Sequence, residues 1–374
     1  MNNPDQPLAG LLVVAIEQAV AAPMCTQRLA DAGARVIKIE REGGETARHY
    51  DRAVHGTSAY FAWLNRGKES AVLNLKDEAD LAIVRNMARK ADVLVSNFAR
   101  GAVERLGLGY DDLTADNPGL IAVQIAGYGG DTSYANARAY DALVQAESGV
   151  CAVTGTADTP VKVGVSLADI ACGMNAHAAV LEALIARSIS GQGRAIEMTL
   201  FDTMADWMNV PLMHYEHLRR EVPRSGLAHA SIYPYGPVHC SDGQVMVVVQ
   251  NPAEWPRFCE VALERPELAN DPRFHDNPAR DANRDALDAE MAPVFARLKC
   301  DEALARLESG NLAGARINTV AGVSDHPAVR RASALVDGGE YQFAAPPLRP
   351  DIEARTVPTA GAHTDAIRRE FGSA

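Results

Sequence analysis

Long runs of one kind are missing from this chain, and each absence removes a class of function. The 36 basic residues gather in no Lys or Arg tract and the formal net charge is -12, which argues against a nucleic-acid partner. No apolar run approaches the roughly 20 residues that span a bilayer. The stretch from Met1 to Leu8 carries Asp5 and no basic segment, so neither membrane insertion nor secretion is expected. Six cysteines (Cys25, Cys151, Cys172, Cys240, Cys259 and Cys300) show no C-x-x-C spacing, so neither a zinc knot nor a disulfide framework is expected, and a reducing cytoplasm is the expected compartment.

Cofactor motifs are missing too. The first turn, Glu17-Gln18-Ala19-Val20-Ala21-Ala22-Pro23, lacks the G-x-G-x-x-G that lets a backbone approach a pyrophosphate, which excludes a nicotinamide dehydrogenase of the usual kind. There is no G-x-x-x-x-G-K-[ST] and no G-x-S-x-G elbow, so neither a P-loop nor a serine hydrolase is expected. His214 and His217 stand three apart on one expected helix face, yet no third ligand lies nearby in sequence, and no metal is expected.

What is present is a length of 374 residues, enough for two domains, and a repeated alternation of strand and helix. Leu11–Glu17, Val36–Glu40, Ala71–Leu75, Val93–Ser96 and Leu120–Ile125 have the composition of buried strands. Between them, Pro23–Ala32 and Glu78–Lys90 have helical patterns, the first closed by Gly33. Such alternation predicts an α/β fold with a doubly wound parallel sheet. A long Ala-rich helix over Ser166–Ser190, a strand over Arg194–Leu200 and a helix over Phe201–Arg219 follow. Pro and Gly then break 221–237 into a linker, and a smaller α+β domain is expected over 238–325, with helices at Glu254–Leu263, Arg284–Arg297 and Asp301–Leu307 and a strand at Val245–Val249. The large domain is thus expected over 1–220, with 335–374 returning to it.

Among acidic residues Asp169 stands out, because Gly164-Val165-Ser166-Leu167-Ala168-Asp169 leads a flexible segment into the long helix. Ser166-x-x-Asp169 also has the form of a capping box, in which the carboxylate merely stabilises the first turn. Local sequence leaves both readings open.

Several ordered segments together resemble the CaiB/BaiF-type (family III) coenzyme A transferases. They are Leu8-Ala9-Gly10, Ala34-Arg35-Val36-Ile37-Lys38-Ile39-Glu40, Ala91-Asp92-Val93-Leu94-Val95-Ser96-Asn97-Phe98, Glu104-Arg105-Leu106-Gly107, Tyr140-Asp141-Ala142-Leu143-Val144-Gln145-Ala146, Thr154-Gly155 followed by Gly164 and Asp169, and Ala362-His363-Thr364-Asp365. The resemblance implies a Rossmann-like large domain, an interlocked homodimer with active sites between domains of the two chains, and Asp169 as a covalent nucleophile. It implies no cofactor beyond coenzyme A as substrate, with CoA contacts from Val20, Arg41, Leu73, Lys76, Asn97, Phe98, Arg105 and Arg138. At Val20 the relatives carry a glutamine that positions the acyl group, and Gln18 is the neighbour placed to replace it. The glycine-rich lid of oxalate-specific members is absent.

The same resemblance implies an exchange of CoA between carboxylic acids through an aspartyl-CoA thioester. Gly226–Gly236 with Val249-Gln250-Asn251 resembles members that handle C4 and C5 dicarboxylates of the mesaconate, itaconate and succinate type, including enzymes that move CoA from C1 to C4 within mesaconyl-CoA. Arg48 and His229 are candidates for the second carboxylate, and Tyr140 joins Gln18 as a candidate substrate contact. Two other functions fit the same architecture: a 2-methylacyl-CoA racemase and a CoA-binding protein without turnover. Racemases carry a histidine where Tyr140 stands, and a phenol that titrates near 10 is a poor substitute base.

Overall fold

Five short runs of aliphatic residues, Leu12–Ile16 (β1), Arg35–Glu40 (β2), Glu69–Val72 (β3), Val93–Ser96 (β4) and Ile121–Ala126 (β5), join Arg194–Thr199 (β6) in a six-stranded parallel sheet. The strand order is β3-β2-β1-β4-β5-β6, which is the doubly wound order that places a crevice outside the carboxyl ends of β1 and β4. The computed structural model describes residues 6–372; the segment Met1–Asp5, part of the stretch considered as a leader, lies outside the described residues.

Helices Ala21–Asp31 (α1), Ala59–Asn65 (α2), Glu78–Lys90 (α3), the single turns Ala102–Arg105 (α4) and Tyr110–Leu113 (α5), Asp141–Glu147 (α6), Val150–Val153 (α7), Leu167–Ser190 (α8) and Leu200–Trp207 (α9) cover the sheet and its loops. Asp77 caps α3 by accepting from Ala79 and Asp80 N–H, and Leu81, Val84, Met87 and Ala88 turn inward at helical spacing to meet Val14, Ile37 and Leu94. The single helix expected over Phe201–Arg219 is two, because the chain breaks at Met208 before Asn209–Leu218 (α10).

At 24 residues, α8 is long and apolar enough to cross a membrane by length and composition, which corrects the expectation that no run approaches that length. Its Ala168, Ala171, Cys172, Ala176, Val180 and Ala183 form a buried stripe at helical spacing, as in a core helix. Gly173 on this stripe has a packing reason. A Cβ there would overlap the Ala21 carbonyl oxygen and Met24, so glycine lets α8 press directly on the start of α1.

The chain divides into two compact units. The first holds the described residues of Met1–Cys151, Lys162–Leu212 and Val329–Ala374, and the second holds Ala152–Val161 and Met213–Ala328. In the second, Tyr235–Cys240 (β7), Gly243–Val248 (β8) and, after helices Glu254–Arg257 (α11), Asn277–Ala282 (α12), Arg284–Phe295 (α13) and Cys300–Ser309 (α14), Ala313–Arg316 (β9) form a three-stranded antiparallel sheet. Trp255, Phe258, Phe274, Leu287, Phe295 and Leu307 fill its core. The short helix Val320–Ser324 (α15) ends this unit. In the first, the hairpin Arg331–Val336 (β10) and Gly339–Ala344 (β11) and the helix Thr364–Phe371 (α16) return the chain to the large sheet, where His363 N–H donates to Ser70 O. Residues expected in a linker over 221–237 lie within the second unit, whose boundary falls at Met213 inside α10, and 152–161 belongs to it as well. All six cysteines are free.

Candidate active site

Asp169 occupies the first turn of α8 without the capping box that its spacing from Ser166 suggests. The N-cap residue Ser166 makes no side-chain capping bond; its hydroxyl lies 3.0 Å from the Tyr60 hydroxyl instead. The cap comes from Asp141, whose Oδ1 accepts from Ala168 N–H at 2.8 Å and from Asp169 N–H at 3.4 Å. Gln145 donates to Asp141 Oδ2 at 2.8 Å and accepts from Val163 N–H, which fixes the capping carboxylate in place. Asp169 therefore has no capping work, and no hydrogen bond to its carboxylate is found among the described residues.

Isolation shows in its acidity. Burial first, and then the neighbouring Asp141 charge, push the Asp169 carboxyl up to about 7, because a desolvated carboxylate next to a like charge resists ionising. Tyrosines surround it. Burial, and then the charges of Glu45 and Asp169 with Tyr60 and Tyr140 beside them, raise the Tyr50 phenol above its ordinary range. The Tyr50 and Tyr60 rings meet edge to face at 5.9 Å, and Tyr140, the N-cap residue of α6, is 68% exposed. Val20, Met24 and Leu64 form a small buried cluster, and Ile170, the residue next to Asp169, packs against it.

The β1–α1 loop that carries Val20 is held at the sheet crevice. Asn97, just after β4, accepts from Gln18 N–H at 3.0 Å and donates to Gln18 O at 2.8 Å. Behind the loop lies a cluster of charges. Glu17, Lys38 and Lys68 are 0% exposed in their side chains. Glu17 pairs with Lys68 at 2.8 Å and Lys38 at 3.3 Å, and Lys38 pairs with Glu45 at 2.7 Å. Burial alone would push Glu17 up, yet Lys38 and Lys68 overcome it and hold the carboxylate below its ordinary range; burial brings Lys68 down to about 8.

The family model for CoA-transferase family III matches residues 8–364. The chain belongs to CoA-transferase family III. It is 34% identical to the acetyl-CoA:oxalate CoA-transferase of Acetobacter aceti over 99% of this chain and 97% of that protein. It is 32% identical to the succinyl-CoA:mesaconate CoA-transferase of Haloarcula hispanica over 88% of this chain and 85% of that protein. A crystal structure of a CAIB/BAIF family protein from Brucella suis superposes with a TM-score of 0.86 at 34% identity, covering 98% of this chain and all of the other. The protein is thus an acyl-CoA:carboxylate CoA transferase of the α/β class expected from its sequence.

Within this transferase, the candidate CoA residues follow the carboxyl ends of consecutive strands: Val20 after β1, Arg41 after β2, Leu73 and Lys76 after β3, and Asn97, Phe98 and Arg105 after β4. Lys76, Arg105 and Arg138 are exposed, and no ion pair to any of the three is found among the described residues. Arg41 is exposed and donates to Gly44 O at 3.0 Å. The Leu73 side chain is committed to the hydrophobic core and its N–H donates to Glu40 O at 3.0 Å, so of the candidate contacts only its carbonyl oxygen is left for a ligand.

Two candidates for the second carboxylate are occupied elsewhere. Arg48 donates to both oxygens of Glu40, at 2.6 and 2.7 Å, and to Pro358 O, with its guanidinium 3.7 Å from the Phe61 ring centre; it is a structural cation. His229 lies in the second unit, and its Nδ1 accepts from Ser231 and Ile232 N–H, the behaviour of a turn-capping side chain. The first-turn N–H groups of α8 are likewise taken: Ala168 and Asp169 by Asp141, Ile170 by Ser166 O. His214 and His217 are exposed on α10, and no group of three metal-ligating side chains occurs among the described residues. Sequence reasoning missed Tyr50, Tyr60 and Glu45, and passed over Asp141 although it stands beside Tyr140 in the family segment.

Proposed function

We propose that this transferase moves CoA between short dicarboxylic acids of four or five carbons through an aspartyl-CoA thioester on Asp169. The observation that carries the reading is the Asp169 carboxylate itself, half-buried, uncapped and without a hydrogen-bonding partner. A group desolvated in this way is a stronger nucleophile once ionised. Its oxygen attacks the thioester carbonyl, the C–S bond breaks and CoA leaves as thiolate, giving a mixed anhydride. The thiolate attacks the aspartyl carbonyl and releases the donor carboxylate. An acceptor carboxylate attacks the resulting aspartyl thioester, expelling thiolate to a second anhydride. Attack of the thiolate on the acceptor's acyl carbon restores Asp169, with no net proton change and no redox step.

The substrate class rests on the mesaconate relative and on the resemblance of 226–236 to members handling branched dicarboxylates. Oxalate belongs in the same assay because of the Acetobacter relative. With Arg48 and His229 engaged, the exposed Arg41, Arg105 and Arg138, with Lys76, carry the phosphate-binding reading, and Gln18, whose side chain is exposed, carries the acyl-positioning one. A homodimer is part of the proposal: Ile185 and Ile189 on α8 and Val210, Met213 and Leu218 on α10 are exposed, apolar faces suited to a second copy. We place the enzyme in the cytoplasm on its free thiols.

Incubation with succinyl-CoA alone should leave a CoA adduct on the peptide containing Asp169, read by mass spectrometry. Asp169→Ala should abolish the adduct and lower turnover by at least about 1,000-fold; an active alanine variant refutes the mechanism. Mesaconyl-C1-CoA supplied with labelled mesaconate separates exchange, which incorporates label, from transfer within one molecule, which forms the C4 isomer without label. Solvent deuterium entering a 2-methylacyl-CoA at a catalytic rate would establish racemase chemistry instead. Binding without any adduct or turnover would leave a CoA-binding protein.

A further inference from the structure

Resting on Asp169 as the nucleophile, we propose that Glu45 is a positioning residue: its buried carboxylate holds Ala19 in a left-handed backbone conformation and thereby sets Val20 against the Asp169 end of α8. Ala19 has φ +64°, a region that L-residues other than Asn and Asp rarely occupy. Nothing in Ala19 favours it. The compensation comes from Glu45, whose Oε2 accepts from Ala19 N–H at 2.6 Å, a charge-assisted bond. Glu45 is itself fixed: its other oxygen pairs with buried Lys38 at 2.7 Å, and its N–H donates to Glu40 Oε2 at 3.1 Å. Arg48 and Ser70 hold Glu40 in turn.

On the other side of the strained residue, Asn97 grips both backbone polar groups of Gln18. Val20 therefore emerges from a residue clamped on one flank by an amide and on the other by a carboxylate. With Met24 and Leu64 it forms the small buried cluster on which Ile170, one residue from Asp169, packs. A loop that relaxed Ala19 to the ordinary region would carry Val20 out of the cluster that supports Ile170. Glu45 acts through this backbone and need not touch the acyl group.

Single-turnover formation of the aspartyl-CoA adduct tests this, because a positioning role changes the rate constant whereas loss of folded enzyme changes only the amplitude. Glu45→Gln keeps a carbonyl acceptor but removes the charge, and should lower the rate constant about 10-fold or more with the KM for acyl-CoA changed less than about 3-fold. Ala19→Val leaves every charge in place, makes the left-handed conformation costlier and should lower the rate constant by a similar factor. Adding Ala19→Gly to Glu45→Gln should recover about 5-fold or more, since glycine accepts positive φ without penalty. Wild-type rate constants in both Glu45→Gln and Ala19→Val, with only amplitudes or melting temperatures reduced, would overturn the proposal. Absence of any adduct on the wild-type enzyme would instead overturn the nucleophile.

Discussion

Two acids, the buried Glu17 at the start of the β1–α1 loop and the half-buried Asp169 in the first turn of α8, have opposite fates. Glu17 is surrounded by Lys38, Lys68 and the Thr26 hydroxyl, and stays ionised below its ordinary range. Asp169 has only a like charge for company and is pushed up to about 7. The same desolvation acts on both. What differs is whether cations answer it: the paired acid is spent on holding the loop, and the unpaired one keeps a lone pair available for chemistry.

Removing the pairing should therefore hurt stability most. Glu17→Gln leaves Lys38 and Lys68 buried with one anion between them, and should cost about 3–5 kcal/mol, read as a fall of about 4–10 °C in the thermal midpoint. A midpoint unchanged within 2–3 °C would mean that the cluster is not a stabilising unit.

On the other acid, Asp141→Asn keeps an oxygen acceptor for the α8 N–H groups but removes the like charge. The acid limb of kcat/KM should move from near 7 to lower pH by about one unit, raising activity at pH 6 relative to the wild type. A limb that stays in place would assign the raised pKa to burial alone. The smallest effect is on stability. With the Asp169 pKa raised above its unfolded value, the folded state is penalised as pH rises from about 4 to 7 and the penalty is complete above 7. Asp169→Asn should then raise the melting temperature by a few degrees at pH 8 and by less at pH 5. Equal gains at both values would contradict a raised pKa.

Much of the sheet was legible because parallel strands buried on both faces are continuous apolar runs: Val93–Ser96 and Glu78–Lys90 coincide with β4 and α3, and the expected Leu120–Ile125 lies one residue from β5. The third strand was displaced, expected at 71–75 and found at Glu69–Val72, because Glu69 looks like solvent-facing surface until its pairing with Arg35, 34 residues away, is seen. Buried Lys38 and Lys68 were hidden for the same reason, since no local pattern shows that a lysine will meet Glu17 across 21 or 51 residues. Within the site, Asp169 was recognisable from the ordered family segments, whereas Arg48 was misread as free because its partner Glu40 lies on the preceding strand. The capping role of Asp141 depends on a contact between α6 and α8 that spacing alone cannot reveal.

Gly173 constrains how such an enzyme can change its diet. With α8 already touching the Ala21 carbonyl through the space a side chain would need, and with Ala19 and Gln18 clamped, the backbones around the proposed nucleophile have little room to drift apart or together. New acids must be accommodated by trimming or enlarging side chains such as Val20, Tyr60 and Ile170 on a frame that stays put, so diversification here proceeds by re-lining a fixed vessel.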